Sequence, residues 1–145
     1  MVSVEINRLT VEEYIYLIQS SGWMSPFYDQ VDTAIRLSFA TFSVYEDGEL
    51  VGMGRLLGDG ALAYFIKDVI ILPDYQRRGL GTFLVRAMLD YISANTRDGW
   101  NCMVELMSAL HKERFYEQLG FTKRPTYLRG AGMSMIVKGN LKIDK

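Results

Sequence analysis

The sequence has little of several residue types that define whole classes of protein. Its 145 residues include one cysteine, so no intrachain disulfide can form, and the apolar run around Cys102 predicts a buried thiol rather than a nucleophile. The one histidine, His111, lies near a predicted helix start, where we expect a surface or capping role. We expect no metal site. No internal repeat, low-complexity segment or Pro/Gly/Ser-rich linker interrupts the chain, which predicts a single domain over residues 1–145.

The sequence also lacks a large excess of charge of one sign and long apolar runs. Sixteen basic and seventeen acidic side chains give a formal charge of −1, without the basic excess or stripe of a nucleic-acid binder, so we expect no nucleic-acid partner. No apolar run approaches the roughly 20 residues that a membrane-spanning helix needs, and we expect no membrane partner. The first residues lack a basic start followed by an apolar stretch, so we expect no signal peptide and a cytoplasmic protein.

Hydrophobic periodicity and turn signals predict an α/β fold. Thr10 and Glu13 have the spacing of a capping box at a helix start, and Asp47-Gly48 marks a hairpin. In the helix predicted from residue 81, we expect Phe83, Leu84, Met88 and either Tyr91 or Ile92 to point inward. The element order is β-α-α-β-β-β-α-β-α-β-β. Six of these seven strands are located, at 2–9, 41–57 (two strands), 61–72, 101–108 and 132–139, and the helices are at 10–23, 29–40, 81–96 and 111–121.

Two glycines stand where the fourth strand gives way to a helix, in the stretch "YQRRGLG". A glycine at a helix start weakens the helix by about 0.5–1 kcal/mol relative to alanine, so some other gain should offset it. Bare amides at the helix start attract an anion, and Arg77 and Arg78 add positive charge, so the stretch predicts a diphosphate site. The P-loop and dinucleotide patterns both fail here. The alternative is that Gly79 and Gly81 only make a tight connection.

Two motifs resemble the GNAT superfamily of N-acetyltransferases. Residues 76–81, "QRRGLG", match its [QR]-x-x-G-x-[GA] signature, and residues 115–121, "FYEQLGF", resemble its Tyr-x-x-x-Gly-Phe segment. The resemblance implies a mixed central sheet, splayed between its fourth and fifth strands and flanked by about four helices. It implies that acetyl-CoA is the cosubstrate. Its pantetheine would pair with the backbone of Val69, Ile70 and Ile71, and its diphosphate would bind Gln76, Arg77, Arg78, Gly79, Leu80, Gly81 and Thr82.

The resemblance also implies direct transfer of the acetyl group to a primary amine. Tyr116 matches the tyrosine that protonates the departing thiolate, although a core aromatic residue is the alternative at this position. Asp68 and Glu105, on strands that flank the cleft, are the candidates for the base, and the choice stays open. Many relatives carry an asparagine seven residues before the tyrosine, and here that position is Ala109, which puts one cofactor contact in doubt.

The acceptor is a small-molecule amine on this interpretation, and its identity is not specified. Trp23, Phe27 and Tyr28, between the first two helices, are candidate contacts, and Arg55 is a candidate partner for a carboxylate or phosphate. A protein acetyltransferase that acts on a lysine or an N-terminal amine remains an alternative, as does a coenzyme A sensor without turnover. We also expect a homodimer, because the family often pairs through C-terminal strands and "GMSMIVKG" at 132–139 is apolar.

Overall fold

The computed structural model describes residues 1–140 and falls into two units, Met1–Met107 and Ser108–Lys145. The prediction of one domain over residues 1–145 stays a prediction. The first unit contains β1 (Val2–Ile6), α1 (Val11–Ser20), α2 (Tyr28–Leu37), β2 (Ala40–Glu46), β3 (Glu49–Gly58), β4 (Ala63–Ile71), α3 (Leu80–Ala94) and β5 (Met103–Leu106). The second unit contains α4 (Glu113–Gln118).

The five strands form one mixed sheet in the order β1-β2-β3-β4-β5. The first four strands pair antiparallel with their sequence neighbours, and β4 pairs with β5 in parallel. The parallel pairing begins at Ala63 opposite Met103 and ends at Ile66 opposite Leu106. In the described part of the chain, the last five residues of β4 therefore have no strand on that side. This confirms the predicted mixed sheet that opens between its fourth and fifth strands.

Helices cover both faces of the sheet. On β3, Met53 is buried in a cluster with Tyr14, Leu17 and other side chains of the α1 side. The next residue, Gly54, faces α3, because a Cβ there would lie 2.7 Å from the sulfur of Met88. Since successive strand residues point to opposite faces, α1 and α3 lie on opposite sides of the sheet.

Local signals placed the first helix and the hairpin correctly. Thr10 accepts a hydrogen bond from the amide of Glu13, and Glu13 accepts one from the amide of Thr10, which is the predicted capping box. Asp47 and Gly48 have φ angles of +50° and +82°, as the two central residues of a tight hairpin turn require. These short-range features depend on neighbouring residues alone, which is why the sequence reveals them.

The burial of α3 differs from the prediction at one position. Leu84, Val85 and Met88 are fully buried, as a stripe facing the sheet requires, whereas the side chain of Phe83 is 44% exposed. Phe83 lies next to this stripe rather than within it. The inward position predicted for Phe83 was therefore wrong.

The predicted final strand is absent. Residues 132–139 form neither helix nor strand, and the two strands expected after α4 do not occur among residues 121–140. The apolar side chains of this segment are largely exposed to solvent, including Met133, Met135 and Ile136. A strand needs a partner for its backbone groups as well as a suitable composition, and the described residues supply none here.

Candidate active site

The open edge of β4 is the first element of the site. Ile70 and Ile71 pair with Met53 and Gly52 of β3 on one side. On the other side, the pairing with β5 has already ended at Ile66. The backbone amides and carbonyls near Val69 to Ile71 are therefore placed to pair with an extended, amide-containing chain, as an added strand would. This is the arrangement that the resemblance implied for pantetheine.

The turn that follows β4 presents backbone amides at the start of α3. Gln76 donates a side-chain hydrogen bond to the carbonyl of Ile71, 3.0 Å away, which ties the turn to the end of the strand. Gly79 is the N-cap and has no side chain to cap the helix, and the first helical bond runs from Phe83 to the Gly79 carbonyl. The amides of the first turn, at Leu80, Gly81 and Thr82, thus have no helical acceptor.

The backbone conformation explains one of the two glycines. Gly79 has φ +82°, in the left-handed region that L side chains rarely adopt. A Cβ at this position would meet no protein atom within 4 Å, so it would project into open space beside the free amides. That space is where an anion would approach the positive end of the α3 dipole, and a diphosphate group fits this site.

The two arginines of the turn have different surroundings. Arg78 donates to the Glu46 carboxylate at 3.2 Å and to the Asp74 carbonyl at 3.1 Å, and its guanidinium lies over the Tyr75 ring. Arg77 is exposed, and the described residues give its side chain no hydrogen bond or ion pair. Arg78 therefore links the turn to β2, while the phosphate contact predicted for Arg77 stays a prediction.

We expect Arg77→Gln to weaken coenzyme A binding by about tenfold with little change in Tm, because it removes a charge-assisted phosphate contact. Arg78→Gln is the matched control, since it removes the same charge one residue away. Its larger effect should be on Tm, by a few degrees or less, because its ion pair with Glu46 is solvent-exposed. Calorimetric titration with coenzyme A and thermal unfolding measure the two effects. Equal losses of affinity in both variants would contradict this division of roles.

Asp68 lies just beyond the point where β4 and β5 separate. It has φ +56°, at an irregularity where the register of β3 with β4 shifts between Met53 and Arg55. Its Oδ2 accepts hydrogen bonds from Arg55 Nε at 2.9 Å and from the Tyr14 hydroxyl at 3.0 Å. The side chains of Asp68 and Arg55 are only 13% and 12% exposed, so this is a largely buried ion pair.

Tyr14 is a member of this site that the sequence did not indicate. Its ring lies on the buried face of α1. Periodicity gives no information on the partner of a hydroxyl group, so its contact with Asp68 could only be seen in the structure. Burial, followed by the negative charge of Asp68, raises the pKa of Tyr14 well above its usual value, which keeps the hydroxyl protonated.

The other site residues predicted in the first unit lie on β5, on β3, and in or next to the segment between α1 and α2. Glu105 is on β5 opposite Phe65, three positions before Asp68 along β4. Trp23 is half exposed in the segment between α1 and α2, and Tyr28, at the start of α2, donates to the Glu12 carboxylate at 2.7 Å. The guanidinium of Arg55 already has Asp68 as a partner, so its predicted role toward a substrate anion stays a prediction.

In the second unit, α4 fixes the orientation of Tyr116. Gly120, with φ +103°, ends the helix, its amide donates to the Glu117 carbonyl, and the amide of Phe121 donates to the Tyr116 carbonyl. This Schellman motif explains the spacing Tyr-x-x-x-Gly-Phe, because only glycine readily adopts the required conformation. The Tyr116 ring packs edge-on against Phe115 and Phe121. Burial raises the pKa of its hydroxyl, which favours the proton-bearing form that an acid needs.

Among residues 1–140, no group of three or more His, Cys, Asp or Glu side chains is arranged to hold a metal ion. No helix in the same range is long and apolar enough to cross a membrane.

Known proteins are similar to this chain in both sequence and fold. Residues 38–123 match the family model of the acetyltransferase (GNAT) domain. An uncharacterized N-acetyltransferase, ycf52, of Gracilaria tenuistipitata var. liui is 33% identical over 121 residues, which cover 79% of this chain and 63% of that protein. A crystal structure of a probable acetyltransferase of Staphylococcus aureus superposes with a TM-score of 0.80 at 26% identity, covering 94% of this chain and 100% of that one.

The chain belongs to the GNAT family and is an N-acetyltransferase. Membership implies acetyl-CoA as the acetyl donor, and the open β4 edge and the Gly79 turn fit its pantetheine and diphosphate groups. More distant relatives are named for different acceptors. They include a rice serotonin N-acetyltransferase 2 (31% identical, covering 57% of this chain and 40% of the relative) and a soybean histone acetyltransferase TAP1 (27% identical, covering 79% and 52%).

Proposed function

We propose that this enzyme transfers the acetyl group of acetyl-CoA to the primary amine of a small molecule. The observation that carries the proposal is the order of three features along the chain: the Asp68 carboxylate where β4 and β5 separate, the open β4 edge at residues 69–71, and the uncapped amides at Gly79. These features offer, in turn, a carboxylate for the acceptor amine, backbone partners for an extended arm and amide donors for a diphosphate. An acetyltransferase needs these groups in this order along its cofactor.

The reaction requires proton transfer at two groups, the acceptor ammonium and the departing thiolate. The acceptor ammonium must lose a proton before its nitrogen can attack, and we assign that proton to Asp68, with Glu105 as the second candidate. The neutral nitrogen then adds to the thioester carbonyl and forms the C–N bond of a tetrahedral intermediate. As the C–S bond breaks, the thiolate takes a proton, which we assign to the Tyr116 hydroxyl, and the nitrogen gives up its second proton, which restores that hydroxyl. The overall exchange converts a protonated amine and a thioester into an amide, a free thiol and one released proton.

The segment between α1 and α2 supports a small, cationic acceptor with an apolar body. Trp23, Met24 and Phe27 are all at least half exposed there, so they offer apolar contact area that the protein itself does not use. Glu12 and Asp29 lie in the first turns of the flanking helices and supply negative charge. Aromatic and acidic side chains together suit an amine that carries an aromatic or aliphatic group. The relative named for serotonin agrees with this chemistry.

A protein acceptor is the second candidate, since another relative is named for histones. The two acceptor classes separate in one assay, in which free thiol is followed after acetyl-CoA is mixed with tryptamine, spermidine, L-lysine, glucosamine 6-phosphate or a lysine-containing peptide. We expect thiol release with at least one small amine, together with an acetylated product of that amine by mass spectrometry. Turnover with the peptide alone would favour the protein acceptor. Tight coenzyme A binding with no turnover on any acceptor would indicate a sensor.

We also propose a homodimer formed through residues 132–139. The segment has the composition of a strand, its apolar side chains are exposed, and residues 1–140 give it no strand partner. A second copy of the chain would cover these side chains and satisfy the backbone.

Light scattering at micromolar concentration should give the mass of a dimer. Ile136→Lys should shift the mass towards the monomer, because it places a charge in the paired surface. Leu37→Lys, at a similarly exposed position on α2, is the matched control and should remain dimeric. A monomer mass for the unaltered protein would remove this proposal.

A further inference from the structure

The hydrogen bonds to Asp68 are unevenly divided between its two oxygens. The Arg55 Nε and the Tyr14 hydroxyl both donate to Oδ2, at 2.9 and 3.0 Å. Within residues 1–140, no hydrogen bond reaches Oδ1. The carboxylate is therefore held firmly by one oxygen while the other keeps its capacity to accept a proton.

The backbone at Asp68 is held in an uncommon conformation. A residue other than glycine with φ +56° inside a strand carries strain, and such residues persist only where surrounding contacts hold them. The shift in register beside it re-aims the side chain, as β-bulges near active sites do. Here the side chain is directed to the α1 face of the sheet, where it meets Tyr14.

Both donors are themselves fixed. The Tyr14 ring is 6% exposed and packs in the cluster that contains Leu17, Met53 and Ile70. The Arg55 guanidinium also reaches the Ser38 hydroxyl, which is 3.4 Å from Nη1. One donor comes from a helix and the other from a neighbouring strand, so together they restrict rotation of the carboxylate about its Cβ–Cγ bond.

We propose that Tyr14 and Arg55 are positioning residues that hold Asp68 by Oδ2 and leave Oδ1 to remove a proton from the acceptor ammonium. In that step an N–H bond of the acceptor breaks, an O–H bond forms on Oδ1, and the nitrogen keeps the electron pair that attacks the thioester. The inference rests on the proposed role of Asp68 as the base. On this inference, Asp68 acts as the base only while Tyr14 of α1 and Arg55 of β3 fix the orientation of its carboxylate.

Tyr14→Phe tests the inference because it deletes one donor and keeps the buried ring. With the best amine of the panel, we expect kcat to fall about tenfold, while the KM for acetyl-CoA stays within about twofold, since the cofactor contacts lie elsewhere. Tyr45→Phe is the matched control, because the Tyr45 hydroxyl contacts Glu13 rather than Asp68 and its loss should leave kcat unchanged.

A double-mutant cycle shows whether Tyr14 acts through Asp68. Asp68→Asn should lower kcat by about 10²-fold or more, and asparagine tolerates the positive φ, so the backbone should hold. Adding Tyr14→Phe to Asp68→Asn should cause no further loss, because the carboxylate that the hydroxyl orients is already gone. A purely structural tyrosine would instead give independent losses that multiply. Arg55→Lys, which keeps a cation, should retain more activity than Arg55→Met.

The outcomes separate the inference from the proposed function. If Asp68→Asn is impaired and Tyr14→Phe is fully active, or if the two losses multiply, the positioning role is wrong and the proposed function stands. If Asp68→Asn keeps normal turnover, Asp68 is not the base and the inference falls with that assignment. Activity of the unaltered enzyme with a small amine would still support the proposed transfer in that case.

Discussion

Tyr116→Phe is expected to lower kcat by about 10²–10⁴-fold and to leave the affinity for acetyl-CoA nearly unchanged, because general acid catalysis has this size. The substitution removes the hydroxyl and keeps the ring that packs against Phe115 and Phe121, so the local fold should survive. Burial raises the pKa of Tyr116 above the ordinary 10.0. The acid form is lost only as the pH rises through that raised pKa, so activity limited by this group should persist to pH 10.

Tyr127→Phe is the control for this experiment. Tyr127 lies in the same unit and is 100% exposed, so removal of its hydroxyl should not change turnover. The comparison must be made where the chemical step limits the rate, as a single-turnover measurement ensures. Near-normal turnover of Tyr116→Phe under that condition would show that water or another residue delivers the proton.

Gly79→Asp is expected to weaken coenzyme A binding by at least about 100-fold, because it places a carboxylate in the open space beside the free amides of α3. Gly79→Asn is the matched control. Asparagine and aspartate have nearly the same size, and both tolerate a left-handed backbone better than other side chains do, so strain at φ +82° affects the two variants alike. The difference between them isolates the charge.

Calorimetric titration with coenzyme A measures both affinities, and thermal unfolding establishes that both variants are folded. We expect Gly79→Asn to lose affinity by only a few fold, about tenfold at most, because it adds bulk without charge. Equal affinities for the two folded variants would mean that the diphosphate does not bind at this turn.

The sequence predicted the parts of the fold that depend on local physics. The capping box at Thr10 and the hairpin at Asp47-Gly48 are confirmed, and so is the apolar strand that enters the Gly79 turn, because neighbouring residues determine each of them. The motif around Gly79 also predicted the family. The apolar composition of residues 132–139 predicted a strand, and that prediction was wrong because the segment has no strand partner within the described residues.

The candidate site was less predictable because its contacts join residues that are far apart in the sequence. Tyr14 and Asp68 are 54 positions apart. The periodicity of α1 does not indicate that the hydroxyl of one of its core residues donates to a carboxylate on β4. The arginine pair shows the same limit. These adjacent residues of one type have different surroundings, because Arg78 donates to Glu46 on β2, whereas the described residues give the Arg77 side chain no hydrogen bond or ion pair.

The central claim is that coenzyme A binds along the open edge of β4 and across the Gly79 turn. A titration of isotope-labelled protein with coenzyme A, followed by amide NMR, tests it residue by residue. The account predicts that the largest shifts occur at the amides of residues 79–82 and 69–71, and that Gly79→Asp abolishes them. Saturable binding that leaves these amides unchanged and shifts amides elsewhere, such as those around Trp100, would contradict it.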